Sequence, residues 1–302
     1  MTLPISVVLC SYNGSRFIRE QVESILQQSY PIHELLISDD ASEDDTFQIL
    51  EELASKDSRI RLIRNQVNQG FTANFQQALC SAKHDWIAIA DQDDIWNPGK
   101  LSVLLDSWDK SASLIYCDSI RFQERIPVRV NPNNRYRKVS GNDPKKIAVF
   151  NTVSGHAMLI KKSLLEKALP FPEGVFYDWW LAIIAMSVSQ VQFVPEVLVY
   201  QRVHDRNVTA SRGPSKKELR KRFRVVLDQH LAYFREIAHL NSPDRAFFEK
   251  LYQLWHASMQ TRINWKLFFF LCKNRRDIYY YKLRRIGVIS QIKHSFLISF
   301  RL

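Results

Sequence analysis

The order of apolar segments in the first ninety residues is what most limits the folds open to this chain. Short runs with strand character fall at 5–9, 35–37, 60–63 and 86–90, and helix-like stretches separate them at 15–28, 45–55 and 71–81. The strands are apolar throughout rather than on alternate residues, so both of their faces need cover. This β-α-β-α-β-α-β order therefore predicts an α/β fold, a Rossmann-like and mostly parallel sheet with helices on both faces. Polar turns follow three of the strands: Ser11-Tyr12-Asn13-Gly14, Asp39-Asp40-Ala41-Ser42 and Asp91-Gln92-Asp93-Asp94. Ligands of open α/β sheets bind at the carboxyl ends of the strands, so the three turns are expected to converge on one crevice.

Further along, the pattern predicts a helix over 97–110 with Pro98 near its start, a strand over 114–120, and an Arg-, Asn- and Pro-rich loop over 123–145. Apolar periodicity returns at 157–160, in a helix over 178–188 and in a strand over 191–199. Arg212-Gly213-Pro214 suggests a boundary between a domain of residues 1–213 and a helical appendage of residues 214–302, where Leu219, Phe223, Val226, Leu227, Leu231 and Phe234 recur at helix spacing.

Charge separates the same two parts. Residues 214–302 hold 19 Lys+Arg against 6 Asp+Glu, a net of +13, while residues 1–213 hold 23 against 25, a net of −2. A near-neutral body with a basic, aromatic-rich tail points to an anionic partner. The basic clusters Lys216-Lys217, Arg220-Lys221-Arg222, Arg275-Arg276 and Arg284-Arg285 alternate with the apolar pieces 265–271 and 294–302. An anionic membrane surface is the partner expected; a helical cap on the first domain and a homodimer contact are the competing readings. No nucleic-acid-binding motif accompanies the charge, so nucleic acid is not an expected partner. The 4 cysteines, Cys10, Cys80, Cys117 and Cys272, are scattered and read as buried thiols rather than a disulfide frame or zinc site. No apolar run reaches membrane-spanning length, and the expected location is cytoplasmic, at the inner face of the plasma membrane.

Asp91-Gln92-Asp93-Asp94 carries the sharpest chemistry. Three carboxylates in four residues repel one another unless a cation neutralises them, and Mn²⁺ or Mg²⁺ with oxygen ligands would also bridge to phosphate oxygens. A solvated acidic loop capping the next helix is the competing reading. The cluster at 39–44 is open to two readings, a carboxylate that accepts from a base or ribose and a helix N-cap at Ser42 or Asp44. The first turn has neither G-x-G-x-x-G nor G-x-x-x-x-G-K-[ST] spacing, which counts against a dehydrogenase and an ATPase. A sugar nucleotidyltransferase would want a glycine-rich basic phosphate loop, and residues 9–16 do not supply one. A non-catalytic scaffold that binds membrane or polyanion on the same fold is the alternative from another class.

Taken in order, Ser11-Tyr12-Asn13-Gly14, the acidic run 39–46, Asn68-Gln69-Gly70 with Asn74, and Asp91-Gln-Asp-Asp-Ile-Trp96 resemble the inverting family 2 glycosyltransferases. That family has the GT-A nucleotide-diphospho-sugar transferase fold. The likeness covers about residues 3–210. Asp91–Trp96, Ser154-Gly155-His156-Ala157-Met158, Tyr177-Asp178-Trp179-Trp180, and His204 with Asn207 are most similar to its bacterial rhamnosyltransferase-like branch. The resemblance implies inverting sugar transfer from a nucleoside-diphosphate donor, dTDP-rhamnose or a UDP-sugar, to a hydroxyl of a glycan or lipid-linked acceptor in cell-surface polysaccharide synthesis. It implies that Tyr12 and Asp40 hold the base and that Asp91 contacts the ribose, with Ser11, Asn13, Asn68, Gly70, Asn74 and Gln92 completing the nucleotide-sugar site. It further implies that Asp93 ligates the metal with His204 approaching it and that Asp178 is the catalytic base. Trp96, His156, Trp179 and Trp180 are expected to line the sugar and acceptor pocket; core packing at a helix start is the competing reading for Trp179 and Trp180, and a structural role is the competing reading for His156. One departure is visible: Tyr200-Gln-Arg-Val-His204 has a residue more than the family's usual Tyr-Arg-x-His spacing.

Overall fold

The computed structural model describes residues 3–128, 130, 136–205, 215–282 and 287–300. Asn207, the Arg212-Gly213-Pro214 boundary and Arg284-Arg285 lie outside the described residues. Strands β1 (Ile5–Ser11), β2 (Glu34–Asp39), β3 (Ile60–Arg64) and β4 (Trp86–Ala90) alternate with helices α1 (Ile18–Leu26), α2 (Thr46–Lys56) and α3 (Phe71–Ser81). All residues of β1, β2 and β4 are buried, as uniformly apolar central strands require. These four strands pair in parallel in the order β3-β2-β1-β4.

Beyond β4 the sheet becomes mixed. The two-residue strand β5 (Ile95–Trp96) and helix α4 (Lys100–Asp106) precede the long strand β6 (Ala112–Phe122), followed by β7 (Met158–Lys161), α5 (Lys162–Ala168), α6 (Tyr177–Val188) and β8 (Gln190–Arg202). The full order is β3-β2-β1-β4-β7-β6-β8-β5, with β7 antiparallel to both β4 and β6. The helix expected over 97–110 is trimmed to α4, whose first turn follows Pro98 and Gly99. Strand β5 has no periodicity to announce it, yet it matters for the site. It pairs Ile95 with Tyr200 and Trp96 with Val199, which draws Asp93 and Asp94 against the end of β8.

The chain leaves β1 on one side for β2 and returns on the other to β4, so the switch point lies between the carboxyl ends of β1 and β4. Gln92 closes that gap from β4. Its Oε1 accepts from the Tyr12 N–H at 2.9 Å and its Nε2 donates to the Tyr12 carbonyl at 3.1 Å. A Cβ on Gly14 would stand 2.2 Å from Gln92 Oε1, so a larger residue there would push the Gln92 amide off the Tyr12 backbone.

Helices α7 (Lys216–Phe234), α8 (Ser242–Ser258), α9 (Trp265–Lys273), α10 (Arg275–Ile278) and α11 (Val288–Ser299) form the basic region. Leu227, Leu231, Phe234, Phe248 and Leu251 are buried in the same apolar cluster as Tyr116, Trp179 and Trp180 of the sheet domain. The helices thus share a core with the body. Cys10 and Cys117 are buried as expected, whereas Cys80 is exposed and Cys272 half-buried, so the thiols are not uniformly interior. Among the described residues no helix is long and apolar enough to cross a membrane.

A shared core predicts shared unfolding. Leu231→Ala is expected to cost about 2–5 kcal/mol and to lower one common denaturation transition seen by tryptophan fluorescence and circular dichroism. Two separated transitions would show instead that the helical region unfolds by itself.

Candidate active site

The Asp39-Asp40 turn is built to hold its carboxylates in place. Ala41 sits in the left-handed region at φ 61°, a strained conformation for alanine that surrounding bonds must enforce. Asp39 accepts from the Ser42 N–H at 2.9 Å, and the Ser42 and Ser11 hydroxyls both donate to its second oxygen. Asp40, 3% exposed, accepts from Asn65 Nδ2 at 2.7 Å, from Gln69 N–H at 2.9 Å and from Gly70 N–H at 2.9 Å. The Asn68-Gln69-Gly70 segment therefore braces Asp40, and Asn68 Oδ1 shares the Gly70 N–H. Asn13, also left-handed at φ 49°, receives the Glu43 N–H on its side chain. Ser42 and Asp44 do not cap α2 as expected: Ser42 Oγ bonds Asp39 and the Asn13 N–H, and Asp44 holds Thr46 and Ser15.

The structure corrects Asn74 as a ligand-contacting residue. It is 2% exposed, accepts from the Ser38 hydroxyl at 2.6 Å and donates to the Ser38 carbonyl at 3.0 Å, which leaves it under the turn rather than facing the crevice. Tyr12, by contrast, is 42% exposed at the crevice edge.

The carboxylates after β4 divide into an outer and an inner group. On the outside, Asp93 Oδ2 lies 2.8 Å from His204 Nε2. The His204 ring packs at 4.8 Å on Phe17, and Arg202 reaches the Asp93 carbonyl at 3.2 Å while pairing with Glu20 on α1. The extra residue in the Tyr200–His204 spacing thus does not prevent His204 from meeting Asp93. Burial and the Asp91 charge push the Asp93 pKa upward, and His204 pulls it back.

The inner group is Asp91, Asp94 and His156, whose ligand-type atoms all lie within 4.8 Å of one another. His156 Nδ1 stands 3.5 Å from Asp91 and 3.7 Å from Asp94. Asp91 Oδ1 and Asp94 Oδ2 are buried with no hydrogen-bond partner among the described residues. Burial, with Asp91 and Asp93 nearby, lifts Asp94 to about 7 against the pull of His156. Burial alone would lower His156, but the two carboxylates outweigh it and its pKa is raised. Below them is Lys100, 0% exposed, donating to the His156 carbonyl at 2.7 Å with its ammonium 3.3 Å over the Trp96 ring. Burial drives its pKa down to about 7, resisted by Cys117, Asp94 and Asp91.

Asp178 opens α6, where the helix N-terminus favours negative charge. Its Oδ1 accepts from the Trp179 N–H at 2.7 Å. Burial first, then the Asp91 carboxylate, raise its pKa to about 6. The start of α6 is pinned from the basic region: His230 Nε2 accepts from the Phe176 N–H at 3.1 Å, and His230 Nδ1 lies 2.8 Å from the Val226 carbonyl.

Three expected platforms are corrected. Trp96, Trp179 and Trp180 are 2%, 5% and 9% exposed, and the indole N–H groups of Trp179 and Trp180 donate to the Ile147 and Ala168 carbonyls. Their faces are spent on packing, so no sugar can stack there. His156, expected toward the acceptor, lies instead with Asp91 and Asp94. Sequence reasoning missed Lys100, Gln21, which donates to the Asp91 carbonyl at 2.9 Å, and His230. Lys100 had a readable signal: it stands on the buried stripe of α4 with Leu101 and Leu104, where a cation needs a partner.

A carboxyl whose pKa is higher folded than unfolded binds its proton more tightly when folded, so ionising it costs stability as pH rises from about 4 through about 6. Asp178→Asn removes that cost and is expected to raise the melting temperature at pH 8, with the gain shrinking as pH is lowered towards 5. A variant less stable than wild type at pH 8 would mean that the ionised carboxylate holds the helix start.

Residues 6–169 match the profile described as glycosyl transferase family 2. The UDP-Glc:α-D-GlcNAc-diphosphoundecaprenol β-1,3-glucosyltransferase WfaP of Escherichia coli is 28% identical over 69% of this chain and 80% of its own length. An uncharacterised glycosyltransferase of Haemophilus influenzae is 23% identical over 94% of this chain and 98% of its own. One from Rickettsia typhi is 27% identical over 68% of this chain and 65% of its own, so the match spans just under two thirds of that relative. Among solved structures, S. aureus TarS 1-349 in complex with UDP-GlcNAc superposes with a TM-score of 0.64 at 17% identity, covering 98% of this chain and 90% of that one. The mannosyltransferase PcManGT of Pyrobaculum calidifontis, in complex with GDP-Man and Mn²⁺, gives 0.58 at 17% identity, over 99% and 86%. The fold is thus GT-A-like, with a helical C-terminal region.

Proposed function

The chain belongs to glycosyl transferase family 2, and from that premise we propose that it transfers a sugar, with inversion, from a nucleoside-diphosphate donor to a hydroxyl of a lipid-linked glycan acceptor. One observation carries the reading. The switch-point crevice brings Asp93, from the turn after β4, beside His204 from the end of β8, and Asp91 beside His156, with Asp178 near enough for Asp91 to raise its pKa. The diphosphoundecaprenol-linked substrate in the name of the E. coli relative supports the acceptor class.

The nucleotide end lies at β1 and β2. Tyr12 offers an exposed ring for stacking, and Asp40 Oδ2, which accepts from the Gly70 N–H alone among the described residues, keeps a lone pair for the ring N–H of a uracil or thymine base. Ser11, Asn13 and Gln92 act indirectly by fixing the backbone around them.

The residues present fit a divalent cation at the outer group. Asp93 and His204, with Oδ2 and Nε2 2.8 Å apart, supply a carboxylate and an imidazole there, donor types suited to Mn²⁺ or Mg²⁺, whereas the three ligand-type groups that meet within 4.8 Å are Asp91, Asp94 and His156. The inner group is less accessible, because Asp94 and His156 are 1% and 5% exposed with Lys100 held on the His156 carbonyl. When bound, the ion would neutralise the charge developing on the leaving diphosphate.

Asp178 performs the proton step. The acceptor hydroxyl must lose its proton as its oxygen attacks the anomeric carbon, and a carboxylate with a pKa near 6 is a stronger base than an ordinary aspartate while remaining ionised at neutral pH. A single displacement needs only this one carboxylate and inverts the anomeric centre.

Asp178→Asn is expected to retain nucleotide-sugar binding and lose roughly 10²–10⁴ in transfer rate, read by radiolabelled product with donor Kd measured separately. Wild-type transfer should fall as pH drops through about 6, since protonated Asp178 accepts nothing; a profile flat down to pH 5 would remove it from the base role. Titration calorimetry with Mn²⁺ and a nucleoside diphosphate separates the two acidic groups. Asp93→Ala should abolish metal-assisted uptake and Asp94→Asn should leave it nearly intact, whereas the reverse order would move the ion to the inner group.

A further inference from the structure

Helix α11 is inside out. Its buried residues include Gln291, Ser295 and Ser299, while Ile289 is 85% exposed and Val288, Ile292 and Leu297 are 41–53% exposed. Of the inward polar groups, Ser295 Oγ donates to the Gln291 carbonyl at 2.9 Å and lies 2.9 Å from the Tyr279 hydroxyl, while Ser299 Oγ is buried with no hydrogen-bond partner among the described residues. Ile289, Ile292, Phe296 and Leu297 fall at i, i+3, i+7 and i+8, one stripe of a helix. Amphipathic patterning normally turns such a stripe to the core, and here it faces out.

The stripe continues onto α9. Phe296 stacks on Phe300 at 4.1 Å, Phe300 meets Trp265 at 4.8 Å, and Trp265, Phe269 and Ile263 are 54%, 63% and 58% exposed. A contiguous apolar patch of this kind marks an interaction surface. Its rim indicates the partner. Arg262, Lys266, Lys273 and Lys293 are exposed around it. Arg224 donates to the Ile298 carbonyl at 2.6 Å, which sets the basic first half of α7 beside α11. With a net charge of +13 over residues 214–302, two copies meeting face to face would oppose like charges, whereas anionic lipid complements both the apolar stripe and the rim.

We propose that the α9–α11 face docks on an anionic lipid bilayer, with Trp265, Phe269, Ile289 and Ile292 entering the headgroup–acyl boundary and the lysines meeting lipid phosphates. The docking deepens the reading of a lipid-linked acceptor and rests on it for its purpose, but the contact can be measured without any sugar.

The test is flotation of the full chain with vesicles of phosphatidylglycerol and phosphatidylcholine in equal parts, and with phosphatidylcholine alone. The wild type should float with the anionic vesicles and much less with the zwitterionic ones. Ile289→Asp with Ile292→Asp should cut partitioning by roughly tenfold or more with circular dichroism and melting temperature unchanged, as exposed positions allow. Lys266→Glu with Lys293→Glu should weaken the anionic binding alone. Equal flotation of the Ile289/Ile292 variant would overturn the proposal. So would a wild type that does not float but sediments as a dimer that the variant dissolves, which would assign the face to self-association. Donor hydrolysis with Mn²⁺, measured without vesicles, keeps the readings apart: hydrolysis without flotation sinks docking alone, and flotation without hydrolysis or transfer sinks the transferase reading alone.

Discussion

Everything at the site follows from the crowding of three carboxylates at the end of β4. Asp91, Asp93 and Asp94 leave a buried strand together, and in a low-dielectric setting their mutual repulsion must be offset by nearby positive charge or by protons. The protein answers on two levels. Beneath, Lys100 and His156 are embedded against Asp94 and the inner side of Asp91. Above, His204 meets Asp93, and Arg202 reaches Glu20, Phe17 and the Asp93 carbonyl. The inner carboxylates thus have a buried imidazole beside them, and Asp93 meets a second imidazole nearer the crevice.

The same arrangement sets the character of Asp178. A carboxylate alone at a helix N-terminus, with a backbone N–H to accept, would be held ionised well into acid. Burial works against that, and the Asp91 charge adds to it. A cation at the outer group would cancel part of the Asp91 charge and so ease ionisation of the base. On the proposed reading, loading the donor site and ionising Asp178 would be coupled through Asp91.

Much of this was legible in the sequence because it follows from strand order. Uniformly apolar runs announced β1, β2 and β4, and the Asp-rich turns after β2 and β4 landed at the switch point, where parallel topology puts them. Periodicity does not report what a polar side chain does once it is indoors. Asn74 and the three tryptophans read as ligand contacts because their types suit ligands, yet Ser38, Ile147 and Ala168 take up the polar atoms of Asn74, Trp179 and Trp180, and Lys100 covers the Trp96 ring. Strand β5 is too short to carry a pattern, so the meeting of Asp93 with His204 could be inferred only from resemblance. The inside-out α11 was hidden for the opposite reason: its pattern is that of an ordinary amphipathic helix, and sequence alone does not say which face looks inward.

Helix α7 joins the two ends of the molecule physically. At 1.5 Å per residue its 19 residues span roughly 28 Å. Arg224 holds the carbonyl of Ile298 on α11, and one and a half turns further on His230 holds the Phe176 N–H, two residues before Asp178. The rings of His230 and Phe234 also pack on Trp179, the residue after Asp178, at 4.8 and 5.7 Å. A rigid rod fixed at both points turns the orientation of the α9–α11 face into an orientation of the crevice. With that face on a bilayer, the crevice stands at a set height and angle above the lipid, so an acceptor anchored in the same bilayer reaches Asp178 from a restricted range of directions. Such restriction supplies part of the entropy that two freely tumbling reactants would otherwise lose on meeting.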